Sequence, residues 1–348
     1  MSGHSRSPAR AGALIVAVTA VASAGLALSR VPSPVLFGAV LGGMAHSLTS
    51  TSQLAVPPWA FRVAQGLVGI TVGALVDLDT LRRMASSSVS ILLVVLATMA
   101  LSIAAGLMLA TRKDVSRTTG VFALIAGGAS GVVAVSRDLG ADERVVTVVQ
   151  YLRVLVVLTT LPLVTGLVFH PPHGRGSLAS AGASPAADLA FVAISLGLGL
   201  LLARLVPVTT MSLLGPLAVA SVLAAGGWLG EVTVPGWLAF VAFALIGVQV
   251  GLRFDRASLA AIGRMLPVVL LIIVAMVVGT AGLGLLLAWL TPVDALTAYL
   301  ATTPGGLFAV LVIAADSGSD TTYVMAVQLL RLLLILATLP LLARWLRR

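Results

Sequence analysis

The sequence predicts an all-α, polytopic transmembrane helical bundle made of two homologous repeats with glycine-broken helices. Three observations predict it. The chain is 59% hydrophobic and only 9% charged, whereas a soluble domain carries about 25% charged residues. Several apolar stretches reach the ~20 residues that a helix needs to cross the hydrocarbon core, where only internal hydrogen bonds can satisfy the backbone. Finally, the polar residues occur twice, 178 residues apart, with no gap between Leu67 and Val164. Gly69-Xaa3-Gly73-Xaa3-Asp77 returns as Gly247-Xaa3-Gly251-Xaa3-Asp255, Gly127-Gly128 as Gly305-Gly306, and Gln150-Xaa2-Arg153 as Gln328-Xaa2-Arg331. Thr160-Leu161-Pro162-Leu163 returns as Thr338-Leu339-Pro340-Leu341. Apolar coincidences mean little in so hydrophobic a chain. Of the 12 acidic residues, however, six form matched pairs: Asp77/Asp255, Asp138/Asp316 and Asp142/Asp320.

The first repeat spans 1–169 and reads as six elements. Ala11–Ser29 imitates a secretory signal, with Arg6 and Arg10 ahead of an apolar run and Ala22-Ser23-Ala24 as a cleavage-like site. It fills the slot that Ala190–Leu202 fills in the second half, which predicts a first transmembrane helix instead. Pro34–His46 follows. Trp59–Val76 carries the Gly-Xaa3-Gly spacing that suits close helix packing and ends at Asp77. Ser88–Ala110 is an uncharged span, Thr119–Arg137 is interrupted by Gly127-Gly128, and Glu143–Phe169 is long and largely apolar. A proline- and glycine-rich linker occupies 170–186. Its His170 and His173 have no third ligand nearby and read as solvated side chains. The second repeat, 187–348, gives Asp188–Arg204, Met211–Gly227, Trp237–Leu252, Met265–Leu290, Thr297–Ala315 and Thr321–Arg348.

Charge placement predicts that the repeats are inverted. Arg6 and Arg10 place the N-terminus inside, and Arg344, Arg347 and Arg348 place the C-terminus inside. Arg112, Lys113 and Arg117 follow the fourth element of the first half, while the equivalent loop Thr291–Leu296 carries only Asp294. Arg253, Arg256 and Arg264 mark a further inside loop. This pattern requires an odd number of crossings per half, so one element fails to cross, and the glycine-interrupted fifth is the candidate. Arg82 and Arg83 then lie outside, against the rule. The expected location is a bacterial inner membrane, with both termini cytoplasmic. The use of 20 arginines against one lysine points to a high-GC bacterial genome.

The same features exclude several functions. The net charge of +9 is scattered at span ends, without a basic run or aromatic interleaving, so it predicts no nucleic-acid partner. The chain has no cysteine, hence no disulfide, thiolate nucleophile or cysteine metal site. The expected partners are the bilayer and a small solute, with homo-oligomerisation left open.

The candidate site lies on the fifth and sixth elements, a hairpin in each half. Gly128 and Arg153 each stand roughly 15–18 Å from the turn, near the bilayer centre, and Gly306 and Arg331 repeat the arrangement. Gln150 and Arg153, like Gln328 and Arg331, share a helix face. An arginine at that depth needs a partner or an aqueous cavity. Gly127 and Gly128 break the first helix. Thr302, Thr303, Pro304, Gly305 and Gly306 break the second more strongly. Unwound helices with opposed half-helix ends are the arrangement of inverted-repeat carriers, and two guanidiniums favour an anionic group such as a carboxylate. The alternative is that Arg153 and Arg331 tie down carbonyls freed by the break without touching solute. Asp138, Asp142, Asp316 and Asp320 stand at the hairpin turns, where helix capping competes with a direct role. Asp77 and Asp255 read as structural.

Ala301-Thr302-Thr303-Pro304-Gly305-Gly306, Asp316 to Asp320 and Gln328-Leu329-Leu330-Arg331-Leu332 resemble the C-terminal signature of the AbrB-like membrane protein family. The duplication resembles it too, over essentially the whole chain. Members are commonly labelled ammonia monooxygenase or AbrB-type regulator. The first copy departs from the pattern, with Leu124-Ile125-Ala126 in place of Thr-Thr-Pro, so a single site would centre on the second break. The monooxygenase label implies a metal centre, for which clustered histidine or carboxylate ligands are needed. Only His46 lies among the membrane segments, so no metal, cofactor or enzymatic activity is expected. The leading expectation is a secondary carrier of a small solute, and the alternative a non-transporting sensor or regulator that affects gene expression indirectly.

Overall fold

Pro34 and Pro58 each open a helix, at the first-turn position where the missing N–H would have had no partner anyway. The computed structural model describes residues 8–28, 33–50, 54–76, 78–126, 132, 136, 139–170, 184–205, 210–227, 229, 232–253 and 263–346, and among them every regular element is helical. In the first half these are α1 (Pro8–Leu28), α2 (Pro34–Thr49), α3 (Pro58–Gly73), α4 (Leu78–Ser86), α5 (Ser88–Leu109), α6 (Arg117–Leu124) and α7 (Glu143–Val164, continued as a π-turn over Thr165–Phe169). In the second they are α8 (Pro185–Leu205), α9 (Met211–Gly226), α10 (Gly236–Gly251), α11 (Leu266–Leu290), α12 (Ala295–Thr302), α13 (Leu307–Asp316) and α14 (Thr321–Leu346).

Among the described residues, five helical stretches are long and apolar enough to cross a membrane: Ser88–Leu109, Glu143–Phe169, Pro185–Leu205, Leu266–Leu290 and Thr321–Thr338. Their outward residues are large and apolar, including Leu92 and Leu93 on α5, Leu198 and Leu201 on α8, and Leu271 and Val278 on α11. So much exposed hydrocarbon suits a lipid solvent rather than water. The sequence reading missed α4. With Asp79 paired to Arg82 at 3.0 Å, it is a short, charged helix whose pattern is amphipathic rather than uniformly apolar.

The described chain divides into two compact units, and each draws on both halves. The first contains 1–77, 162–256 and 311–321. Within it α2 packs on α10, α3 on α9, α1 on α2 and α8 on α9. The Gly-Xaa3-Gly motifs make these contacts close. A Cβ on Gly69 or Gly73 of α3 would meet the carbonyl oxygens of Leu213 or Leu217 on α9; one on Gly247 or Gly251 of α10 would meet those of Leu36 or Val40 on α2. Asp77 and Asp255, which follow these motifs, lie outside the described residues. The run read as the first helix, against the signal-peptide imitation, is helical in α1 and packs on α2, where Gly38 and Gly42 admit Ser23 and Thr19.

The second unit contains 78–161, 257–310 and 322–348. There α5 packs on α6, α11 on α12, and α5 on α11. Gly106 of α5 would place a Cβ 2.7 Å from the Gly120 carbonyl oxygen, and its positional equivalent, Gly284 of α11, would place one 2.9 Å from Tyr299 Cα. The legs α6 and α12 are buried along nearly their whole length.

Candidate functional site

The site is made where two buried helices stop early. After Leu124 the backbone turns extended at Ile125 (φ −64°, ψ 130°), and after Thr302 it does the same at Thr303 (φ −56°, ψ 131°). The two positions are 178 residues apart. Pro304 explains the second stop, because a residue before proline avoids the helical region. The first stop has Ala126 there and still takes the same angles.

What the two stops share is the Gln/Arg pair. Gln150 Nε2 donates to the carbonyls of Phe122 (2.7 Å) and Ile125 (3.0 Å), and Arg153 Nη1 to those of Leu124 (3.0 Å) and Ile125 (2.9 Å). In the second copy Gln328 Nε2 donates to Leu300 (3.0 Å) and Thr303 (3.2 Å), and Arg331 Nη1 to Thr302 (3.1 Å) and Thr303 (3.0 Å). The last carbonyls of a helix have no partner within it and carry the negative end of its dipole. A guanidinium is therefore a strong donor for them. All four side chains are at most 4% exposed.

These bonds also fix the direction of the chain. Along α6 and α7 the partners advance together, Phe122 with Gln150 and Leu124 with Arg153, so the two helices run parallel. The Asp142 N–H, at the start of α7, donates to Thr119 Oγ1 in the first turn of α6 at 2.9 Å. The start of α7 thus stands at the level of the first turn of α6. The α12–α14 ladder advances in the same sense. Gln328 is about 10 Å along α14, and its partner Leu300 about 8 Å along α12. Gly140 (φ 81°) and Gly318 (φ 69°) supply the left-handed residue in the two outer turns.

The two copies meet within the second unit. A Cβ on Gly305 would lie 2.9 Å from Val157 Cγ1, and one on Gly306 would lie 3.9 Å from Val154 Cγ1. The second break therefore packs on α7 one residue from Arg153. Among the described residues neither guanidinium has a carboxylate within ion-pair distance. Nε of Arg153, Nε of Arg331 and Oε1 of Gln150 are buried without a hydrogen-bond partner among the described residues.

The other sequence-predicted residues separate. Thr302 Oγ1 donates to Thr280 (3.0 Å), tying α12 to α11, and Thr303 Oγ1 donates to Tyr299 (2.8 Å), so both hydroxyl protons are used inside the protein. Pro304 is buried, while Gly305 and Gly306 are partly exposed. Asp142 caps α7, accepting from Arg144 N–H at 2.9 Å. Asp316, in the first unit, instead accepts from Ser33 N–H and from Ser33 Oγ (3.2 Å) at the start of α2. Asp320 stands in the turn before α14. Gly127, Gly128 and Asp138 lie outside the described residues. His46 is buried in α2, and among the described residues no group of three His, Asp or Glu could hold a metal. Sequence reasoning missed Thr119 and the facing valines, Val154 and Val157. The matched caps Ser116-Xaa2-Thr119 and Asp294-Xaa2-Thr297 were the available signal for the first of these.

The family model described as "Transition state regulatory protein AbrB" matches residues 2–82 and 35–347. An Escherichia coli (strain K12) protein named "Putative regulator AbrB" is 33% identical over 339 residues, 95% of each chain. The Bacillus subtilis (strain 168) protein YhjN, described as uncharacterized, is 23% identical over 292 residues, 80% of this chain and 76% of its own.

Proposed function

This chain belongs to the AbrB family, and on that premise we propose that it is a bacterial inner-membrane carrier of a small anionic solute, working from the two pinned helix breaks. One observation carries the reading. Two buried guanidiniums, neither with a carboxylate partner among the described residues, each hold the end of a broken helix, and the second break packs on α7 one residue from Arg153. Membrane-buried charge of this kind belongs to solute and ion pathways.

The fold-back geometry supports the topology. If each fifth element dips in and returns, each half crosses five times, on α1, α2, α3, α5 and α7 and then on α8, α9, α10, α11 and α14. An odd number inverts the second half relative to the first. The hairpins then enter from opposite sides, as in secondary carriers built from inverted repeats. Arg117 and Trp345 line one cleft, so the basic loop after α5 and the end of α14 share a side, the cytoplasmic one by their charge. The test is uptake of labelled mono- and dicarboxylates into proteoliposomes, with Arg331→Ala and Gly305→Leu beside wild type. Both variants should lose uptake while remaining folded; unchanged uptake in both would remove this site.

A second reading rests on the name of the E. coli relative, a regulator, and on the inward hydrogen bonds of Thr302 and Thr303. In that case the breaks bind a ligand or partner protein and influence gene expression indirectly. The same variants would then change transcript levels in cells, with no flux of any solute.

A further inference from the structure

At the end of the second unit where α5 stops and α6 starts, a half-open cleft of about 730 Å³ is lined by Leu107, Ala110, Thr111, Arg117, Trp345 and Leu346. Its floor is apolar, with Leu346 buried and Leu107 and Ala110 half-buried, while Arg117 and Trp345 stand exposed. Lys113, in the same loop, and Arg344, beside Trp345, are exposed too. Asp114, the one acidic residue of that loop, lies 3.9 Å from Arg112. Among the described residues no carboxylate comes within ion-pair distance of Lys113, Arg117 or Arg344.

The neighbouring turns are of the opposite character. Met108 is 60% exposed and Leu341 64%, each one turn back along its helix from the cleft. Hydrocarbon-facing residues thus give way within one turn to a basic rim with a tryptophan, the composition of a headgroup level. The equivalent place in the second half is different: Trp289 and Ala295 stand for Thr111 and Arg117, and Thr291–Leu296 has no basic residue. The basic cleft is therefore a property of one end only and not a by-product of the repeated pattern.

We propose that this cleft binds the headgroup of an anionic phospholipid. Arg117 takes the phosphate, Lys113 and Arg344 supply further positive potential, and Trp345 packs at the glycerol level. The acyl chains run back along Met108 and Leu341. The proposal does not use the helix breaks, so it stands or falls separately from transport.

The experiment is native mass spectrometry of the full chain released from nanodiscs of phosphatidylcholine containing a minor share of phosphatidylglycerol. Phosphatidylglycerol should be retained selectively. Arg117→Gln should weaken retention about fivefold, the effect of one basic residue at an anionic surface. Trp345→Leu should weaken it as well, whereas Arg117→Lys should largely restore it. Arg62→Gln, at an exposed arginine of the first unit, should leave it unchanged. Circular dichroism and size-exclusion profiles establish that each variant is folded. Equal retention of the two lipids, equal loss from Arg62→Gln, or full displacement by soluble glycerol phosphate would each overturn the proposal, the last by making the cleft a site for soluble anions.

Discussion

The two helix breaks make the same hydrogen bonds from different sequences. The second has Thr302, Thr303 and Pro304; the first has Leu124, Ile125 and Ala126. Ile125 and Thr303 nonetheless take the same extended angles, and each ends a helix whose last carbonyls are held by a glutamine and an arginine. The break thus takes the same form with and without the Thr-Thr-Pro run, and in both copies the same pair of side chains receives it from the neighbouring helix. One difference remains. Arg331 Nη2 also donates to Gln328 Oε1 at 2.5 Å, while Gln150 Oε1 is buried without a partner among the described residues. The second copy is the more closed of the two, and the first keeps an unused acceptor beside an unused Nε–H.

The largest effect should come from removing a guanidinium. Each holds two carbonyls in a dry setting, and leaving them unpaired costs about 3 kcal/mol or more. Arg153→Ala should lower the thermal midpoint in detergent more than Arg331→Ala does, because the second break keeps Pro304 and two hydroxyl bonds. Equal losses would mean that the first break has a hold of its own.

Next comes the contact between copies. Gly305→Leu adds a side chain where Val157 is only 2.9 Å from a new Cβ, a misfit on the order of 1–3 kcal/mol. Val157→Ala in the same chain should recover part of it, and the size of that recovery in a double-mutant cycle measures how tightly the copies are joined.

A smaller contrast separates the glutamines. Gln328→Leu removes a donor and the acceptor of Arg331, about 2 kcal/mol, while Gln150→Leu removes a donor alone, about 1 kcal/mol. Urea unfolding of the two variants checks the order. Smallest of all is Ala126→Pro, which copies Pro304 into the first break. Ile125 is already extended, as a residue before proline must be. The expected change is below about 1 kcal/mol, and a larger loss would show that the two turns differ in detail.

Much of this was legible because polar residues are rare in the chain, so each matched pair stood out. The Gln/Arg pairs were found by spacing alone, and the α-helical bundle by composition. Helix α6 stops at Ile125, held by bonds from α7 that no local rule describes, while Gly127 and Gly128, on which the sequence places the break, lie outside the described residues. Asp316 read as a cap for its own hairpin and instead meets Ser33, 283 residues away. No sequence signal marks that partner. The short helix α4 escaped notice because an apolar scan passes over a charged amphipathic turn. The approach of Gly305 to Val157 is likewise a property of packing, invisible until the two halves are placed together.

The central claim is that each fifth element returns to the side it left, and that the two do so from opposite faces of the membrane. Single-cysteine labelling measures this directly, since the native chain contains no cysteine. Lys113→Cys and Ala141→Cys bracket the first hairpin, and Val293→Cys and Ser319→Cys bracket the second. An impermeant maleimide should label the first pair from one side and the second pair from the other. Labelling of Lys113→Cys and Ala141→Cys from different sides would contradict the account, as would labelling of all four from the same side.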